Sequence, residues 1–254
     1  MTDAWVLTPY YIDQPMPGLE ALLEPGWLLN RPVLPAGDPQ EIMFGLHRSL
    51  ADRVHEAVRR ADRPVSVAGD CCSSIGVLAG LQRAGVNPYL IWLDAHGDFN
   101  TWETTPSGFL GGMPLAMLVG LGEQRMPQAV ALRNIHQRDV LLCDGRDLDP
   151  GERDLLASSQ VLYVDCFLDL LETRFPDRPL YVHFDTDLID PRQAPAMNYP
   201  AAGGPSAEQV AALFRQIART GRLAAASLSS WNPALDPDGS TQALCMGLLA
   251  ELLT

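Results

Sequence analysis

Basic residues are scarce in this sequence of 254 residues, where 18 lysines and arginines stand against 31 aspartates and glutamates. The formal net charge of −13 repels phosphate groups, so neither nucleic acid nor an anionic membrane surface is expected as a partner. Cysteine is also rare. Five cysteines, an odd number, do not indicate a disulfide framework, and we expect free thiols in a reducing cytoplasm.

Long hydrophobic runs are absent as well. No apolar segment approaches the length of a membrane-spanning helix. The first residues carry no basic stretch ahead of an apolar one, so no secretion signal is expected and a cytoplasmic location is predicted. The length and a hydrophobic fraction of 47% allow one large domain, over residues 1–254, with a substantial core.

Short apolar runs alternate with amphipathic segments along the chain. Strands are predicted over residues 4–7, 64–68, 89–93, 140–143, 161–164, 180–184 and 223–228. Helices are predicted over residues 40–60, 73–84, 112–120, 151–157, 167–174, 206–220 and 240–253. This alternation predicts an α/β fold with a parallel sheet covered by helices on both faces. The stretches 14–39 and 195–205 are rich in Pro and Gly and are predicted to be loops.

Two segments that follow predicted strands are dense in metal-ligating side chains. They are residues 94–98 (Asp-Ala-His-Gly-Asp) and residues 185–191 (Asp-Thr-Asp-Leu-Ile-Asp-Pro). Alternate residues of an extended chain point to the same side, so the side chains within each segment can converge. Four carboxylates at one point would repel each other without cations between them, which favours a pair of divalent ions. The alternative is that these acids cap helices or line a solvated rim.

These segments resemble the two metal-binding signatures of the arginase (ureohydrolase) family. A third segment, residues 68–76 (Ala-Gly-Asp-Cys-Cys-Ser-Ser-Ile-Gly), is similar to the family's first signature, and the three occur in the family's order. The resemblance implies a three-layer α/β/α sandwich around a mainly parallel sheet. It also implies two divalent ions, most often Mn²⁺, that activate water for attack on a guanidinium or amidine carbon.

The resemblance also implies a ligand set. Asp94 and Asp185 would bridge both ions, Asp98 would complete one of them, and His96 with Asp187 would complete the other. Cys71 stands where the family has a metal-binding histidine. A thiolate can be a ligand but is softer than imidazole and favours zinc or iron over manganese; the alternative is that Cys71 is a small buried residue.

A second group of residues resembles the substrate-binding residues of arginases. Asn100, Thr105 and Ser107 match the positions that hold the α-carboxylate of the substrate, and Asp149 and Glu152 match those that hold its α-amino group. Neutral hydrogen-bonding groups suit a carboxylate, and acids suit an ammonium group. The alternatives are a plain polar loop and a helix start, because Pro150 and nearby acids also favour a helix N-terminus.

Two further departures bear on the substrate. Ser230 replaces the glutamate that pairs with the guanidinium in arginases, and Gly111 replaces a proton-shuttling histidine. A fully charged guanidinium without that carboxylate would cost several kcal/mol to bury. The sequence is therefore similar to the branch of the family that converts Nω-hydroxy-L-arginine to hydroxyurea and L-ornithine in D-cycloserine biosynthesis. Ser230 would then hydrogen-bond the hydroxyguanidine, and Asp98 would transfer a proton to the departing amine.

Other interpretations stay open. One is an ordinary arginase or a ureohydrolase for another guanidino compound, and another is a catalytically silent relative that binds an amino acid or a partner protein. His183 lies two residues before Asp185, so its side chain is expected on the same side of the strand and could approach the metals. A hydrogen-bonded core histidine is nevertheless the favoured interpretation. His47 and His55 are expected at the surface of the 40–60 helix. A small amino acid substrate and a monomer are expected.

Overall fold

A computed structural model describes residues 2–35 and 37–254 of the chain. Its main feature is a sheet of eight strands that all run parallel. The strands of this sheet are β1 (Asp3–Thr8), β4 (Leu28–Leu29), β5 (Arg63–Ala68), β6 (Tyr89–Asp94), β7 (Val140–Asp144), β8 (Leu162–Tyr163), β9 (Leu180–Asp185) and β10 (Leu223–Ser229). Their order across the sheet is β4-β1-β5-β10-β9-β6-β7-β8. A separate antiparallel pair is formed by β2 (Tyr10–Tyr11) and β3 (Gln14–Pro15).

Eight α-helices connect and cover these strands. They are α1 (Pro39–Arg59), α2 (Ser73–Arg83), α3 (Pro114–Leu118), α4 (Arg125–Ala129), α5 (Pro150–Ser158), α6 (Phe167–Leu171), α7 (Ala207–Ala218) and α8 (Ser240–Leu253). Residues of α1 to α5 contribute to one hydrophobic cluster and residues of α6 to α8 to a second, and the strands contribute to both. The predicted three-layer α/β/α sandwich around a parallel sheet is confirmed. Within the described ranges, none of the helices combines the length and apolar character that crossing a bilayer requires.

Each predicted strand and helix has a counterpart in the structure, with ends that differ by a few residues. The sequence analysis missed β2, β3, β4 and the five-residue helix α4. The three strands have only two residues each, which is too short for a periodic pattern to reveal. Part of the stretch 14–39, predicted as a loop, thereby joins the sheet, because β4 pairs with β1.

Local signals explain where the long helices begin. Asp38 precedes α1, accepts a hydrogen bond from the Gln40 amide at 2.9 Å, and is followed by a proline at the first helical position. Ser206 caps α7 together with Gln209, in the reciprocal arrangement that their spacing predicts.

The strand order brings distant segments together at one edge of the sheet. β5, β10, β9 and β6 are consecutive neighbours. Their register pairs Ser229 with Asp185, and it pairs Leu93 with Phe184, so that Asp94 and Asp185 end adjacent strands at the same height. All the segments singled out in the sequence, at residues 70–72, 94–98, 185–190 and 230, therefore leave the sheet side by side.

The expected position of His47 at the helix surface is wrong. Its side chain is buried in α1, with only 4% of the residue exposed, and Nδ1 has no hydrogen-bond partner among the described residues. The buried face of α1 is wider than the stripe of apolar residues at four-residue spacing, because α2 packs along α1. Gly76 allows the backbone of α2 to approach the carbonyl of His47 closely. Burial lowers the pKa of His47 to about 4.

This burial predicts acid sensitivity. Because the pKa of His47 is about 4 in the folded state and about 6.5 in the unfolded chain, the unfolded state binds the extra proton as the pH falls below about 6.5. We expect this residue alone to lower the free energy of unfolding by roughly 2 kcal/mol between pH 7 and pH 5. Urea unfolding of the metal-free protein and of His47→Gln at both pH values measures the difference.

The exposed His136→Gln variant controls for the loss of a histidine by itself. Equal pH dependence in the wild type and His47→Gln would show that His47 is protonated as readily in the folded chain as in the unfolded one.

Candidate metal centre and active site

A cavity of about 320 Å³ opens at the carboxyl edge of the sheet, above the ends of the central strands. Every residue predicted for the site from the sequence lines this cavity. They are Cys71, Asp94, His96, Asp98, Asn100, Thr105, Ser107, Asp149, Glu152, Asp185, Asp187 and Ser230. The topology thus assembles the residues that the sequence analysis selected.

Asp94 and Asp185 end β6 and β9 and are both buried. Oδ1 of Asp94 accepts a hydrogen bond from the amide of His96 at 2.7 Å, and Oδ2 accepts one from the indole of Trp92 at 3.1 Å. Oδ1 of Asp185 accepts the amide of Asp187 at 2.9 Å. These bonds fix each carboxylate against its own strand end, so the two groups lie at the floor of the cavity.

His96 lies between carboxylates from two strand ends. Its Nδ1 is 3.0 Å from Oδ2 of Asp187 and 3.4 Å from Oδ1 of Asp94. Burial opposes a charge on this ring, but the hydrogen bonds to Asp187 and Asp94 prevail and raise the pKa of His96 to about 12. The surrounding carboxylates thus favour a positive charge at this point of the cluster, which a bound metal ion would also supply.

Asp98 enters the cluster from a strained backbone position. Its φ is +49°, in the left-handed region that non-glycine residues seldom adopt. Its side chain is buried, and Oδ2 has no hydrogen-bond partner among the described residues. Burial, followed by the charges of Asp94 and Asp185, holds the pKa of Asp98 well above its usual range.

The chemistry of this cluster fits divalent cations. Burial and neighbouring charge likewise raise the pKa of Asp185, and they raise that of Asp187 to about 6. Two groups of residues each offer ligand atoms that lie within 4.8 Å of one another. One group is Cys71, Asp94, His183 and Asp185, and the other is Asp94, His96 and Asp187. Asp94 belongs to both sets. Oxygen-rich donors around two adjacent points match what paired divalent ions require.

Cys71 is buried at the border of an apolar cluster, and its thiol faces the carboxylates. Its thiol donates to Oδ2 of Asp185 at 2.8 Å and lies 3.1 Å from the hydroxyl of Ser229. Burial and the charges of Asp185, Asp98 and Asp94 raise the pKa of the thiol well above its usual value. A cation beside the sulfur would reverse that effect, since a metal stabilises the thiolate.

Two of the residues predicted to bind the α-carboxylate of a substrate lie in an exposed loop. The hydroxyls of Thr105 and Ser107 are 3.4 Å apart and accept hydrogen bonds from the amides of Gly108 and Phe109. Asn100 is buried deeper, and its side-chain amide donates to Asp149 at 2.9 Å. All three residues line the cavity.

Asp149 and Glu152 form the start of α5, one of the alternatives that their spacing allows, and both also line the cavity. Glu152 lies in the first turn of α5, where Oε2 accepts the amide of Asp149 at 3.1 Å. Its Oε1 accepts the amide of Phe99 at 2.8 Å, so both oxygens are already engaged by backbone groups. Burial raises the pKa of Glu152 to about 7. Glu152 therefore supports the loop behind Asp98, while the carboxylate of Asp149 stays linked to Asn100.

Ser230 and Gly111 both line the cavity. Ser230 has a φ of +71°, and its hydroxyl donates to Oδ2 of Asp185 at 2.5 Å. Gly111 has no room for a side chain, because a Cβ there would lie 2.4 Å from Cε1 and Cζ of Phe109. The phenyl ring thus fills the space that a side chain at position 111 would need.

Sequence reasoning missed an aromatic group at the mouth of the cavity. The ring of Phe109 lies 6.3 Å from that of Tyr11 and 5.5 Å from that of Tyr199. Tyr11 reaches the site because the buried carboxylate of Asp70 accepts the Ile12 amide at 2.7 Å and holds the β2–β3 hairpin against the end of β5. No local pattern marks these rings, since they come from three distant segments.

Comparison with known proteins gives the same assignment. The arginase family profile matches residues 28–254. The arginase of Bacillus subtilis (strain 168) is 31% identical over 219 residues, which are 82% of this chain and 74% of that protein. The Agrobacterium fabrum arginase is 31% identical over 231 residues, covering 84% of this chain and 70% of the relative. The chain spans only 56% of a Xenopus laevis protein named "Arginase, non-hepatic 1", at 33% identity over 205 residues, which are 73% of this chain.

The folds agree as well. The crystal structure of the Bacillus subtilis arginase superposes with a TM-score of 0.85 at 25% identity, covering 100% of this chain and 98% of that one. A proclavaminate amidino hydrolase from Streptomyces clavuligerus shares the fold at 20% identity, with a TM-score of 0.72, over 99% of this chain and 90% of that one. The chain therefore belongs to the arginase family, whose members are ureohydrolases with a binuclear divalent metal centre.

Proposed function

We propose that this protein hydrolyses Nω-hydroxy-L-arginine to hydroxyurea and L-ornithine with two Mn²⁺ ions held by Cys71, Asp94, His96, Asp98, Asp185 and Asp187. The observation that carries the substrate assignment is the wall of the cavity at Ser230. The hydroxyl of Ser230 donates to Oδ2 of Asp185, and the resemblance to arginases implies that a carboxylate for the guanidinium would stand at this position. A hydroxyguanidine is less basic than a guanidine, so it does not need that carboxylate to enter a buried site.

The residues of the chain have distinct parts in this reaction. Bound divalent ions supply Lewis acidity and activate water near neutral pH. Oδ2 of Asp98, buried and without a partner among the described residues, accepts a proton and passes it to the departing ornithine amine. Asn100, Thr105 and Ser107 orient the α-carboxylate, and Asp149 with Glu152 accommodates the α-amino group.

The aromatic mouth supports the same assignment. Phe109 fills the space beside Gly111, and its neighbours Tyr11 and Tyr199 narrow the entrance around it. A histidine at position 111 could not stand in this wall without moving the ring. The route for proton release through that position is therefore closed, and Asp98 is left as the group that manages protons within the cavity.

Ordinary arginase activity is the second candidate. The names of the relatives at 31% identity favour it, as do the residues for an α-amino acid at the mouth of the cavity. A catalytically silent binding protein would share the fold but would neither retain two ions nor turn over either substrate.

A side-by-side assay separates these functions. Purified protein loaded with Mn²⁺ is given Nω-hydroxy-L-arginine and L-arginine, and ornithine release and bound metal are both measured. We expect two ions per chain and a kcat/KM for hydroxyarginine at least about tenfold above that for arginine, which equals about 1.4 kcal/mol in the barrier. An equal or higher value for arginine would reject the substrate assignment, and metal-free, inactive protein would reject the hydrolase.

Replacement of Ser230 by glutamate tests the origin of the specificity. Because a carboxylate there can pair with a charged guanidinium, Ser230→Glu should raise the ratio of arginine to hydroxyarginine kcat/KM by about tenfold or more. Ser230→Gln is the matched control, since it has the same size and the same left-handed backbone requirement without the charge. An identical ratio in both variants would mean that charge at position 230 does not select the substrate.

The packing of Phe109 against Gly111 gives a further prediction. Gly111→His alone should lower kcat/KM for hydroxyarginine by about tenfold, because the new side chain collides with the ring. The double variant Gly111→His/Phe109→Ala should recover part of that loss, with Phe109→Ala measured as the reference. If the effects of the two substitutions on kcat/KM were strictly additive, the side chains at positions 109 and 111 would not compete for the same space.

A further inference from the structure

His183 lies directly beneath the metal-binding carboxylates. It is two residues before Asp185 on β9, so both side chains point to the same face of the sheet. In the register, His183 pairs with Ser227 on β10 and with Trp92 on β6. The next layer on that face contains Ser229, Asp185 and Asp94. The imidazole therefore forms the floor of the cluster, and none of its surface is exposed.

The ring of His183 is held by contacts on its face and at Nδ1. Trp92 stacks on it with a centroid separation of 3.8 Å and an interplanar angle of 27°. Nδ1 is 2.8 Å from the hydroxyl of Ser227, which itself lies 2.9 Å from the hydroxyl of Tyr181. Histidines that bind metals are commonly oriented in this way, with one ring nitrogen on the metal and the other donating to a fixed oxygen.

The second ring nitrogen is aimed at the cluster. Nε2 has a long contact of 3.5 Å with the hydroxyl of Ser229, which is beyond the usual range of a good hydrogen bond. Ligand atoms of His183, Cys71, Asp94 and Asp185 all lie within 4.8 Å of one another. Donors of one tetrahedral ion with bonds of about 2.0–2.3 Å are roughly 3.3–3.8 Å apart, so a modest contraction would bring these four groups around a single ion.

We propose that Nε2 of His183 is a ligand of the ion on the Cys71 side, together with Cys71, Asp94 and Asp185, and that it takes the ligand place given above to Asp98, which keeps its part in proton transfer. The resemblance implies a histidine ligand at position 71, where this chain has Cys71. His183 on β9, one layer below the carboxylates, then supplies an imidazole to the same ion. A thiolate, an imidazole and two carboxylates form a softer donor set than the oxygen-rich set of His96 and Asp187. The proposal rests on the proposed function only for the presence of divalent ions in the cluster.

Nuclear magnetic resonance of the full chain tests the ligand directly. The protein is labelled with ¹⁵N-histidine, and zinc is added as a diamagnetic probe, with the metal content measured on the same sample. Of the five histidines, we expect two to show the ring-nitrogen shift of a metal-bound imidazole, and loss of one signal in His96→Gln and of the other in His183→Gln assigns them.

The outcomes separate this proposal from the proposed function. Two bound zinc ions with a shift at His96 alone would overturn the assignment of His183 and leave the hydrolase intact. If the protein bound no zinc and no histidine showed the shift, both the assignment of His183 and the proposed hydrolase would be overturned. The wild-type spectrum decides the number of metal-bound imidazoles even if a variant fails to fold.

Binding measurements give an independent readout. His183→Ala should weaken the binding of one zinc ion by more than about 100-fold, and Ser227→Ala, which removes only the support of Nδ1, by about 10–100-fold. His47→Gln is the matched control, because His47 is also buried but lies in α1, away from the cluster. An effect of His183→Ala no larger than that of His47→Gln would show that the ring is not a ligand.

Discussion

Crowding of negative charge at the ends of parallel strands is the constraint on which this structure depends. Asp94, Asp98, Asp185 and Asp187 are all buried, and one imidazole lies among them. Like charges at such short range and low dielectric are strongly unfavourable unless protons or cations intervene. Burial first and this repulsion second raise the pKa values of Asp98 and Asp185. The fold tolerates this arrangement because the sheet and the helices around it are otherwise continuous apolar packing.

The departures of this chain from arginases occur in spatially related positions. Cys71 is shorter than a histidine, and behind it the imidazole of His183 lies on the floor of the same cluster. Gly111 has no side chain, and the ring of Phe109 fills the adjoining space. At Ser230 a hydroxyl is bonded to Asp185. A close-packed interior resists isolated changes in volume, so neighbouring positions adjust together. Positions 71, 111 and 230 thus line one and the same cavity.

The sequence was most informative where the chemistry is local. The segments 94–98 and 185–191 concentrate ligand types after strands, and this pattern alone indicated a shared metal centre. The caps of α1 and α7 and the seven main strands follow from short-range signals of the same kind. The sequence pattern was insufficient where the burial of a side chain depends on how another element packs against it. His47 was assigned to the surface because helical periodicity does not reveal how widely α2 covers α1.

The sequence by itself determined the longer elements, the parallel sheet and the identity of the clustered acids, because these depend on periodicity and on residues close together in the chain. Only the tertiary structure decided which strands are neighbours, and hence that Ser227, His183 and Trp92 form one layer beneath Asp185 and Asp94. It also placed Phe109 against Gly111 and brought Tyr11 and Tyr199 to the mouth of the cavity. Such contacts join residues far apart in sequence, and their geometry arises from the packing of the whole chain and not from any local preference.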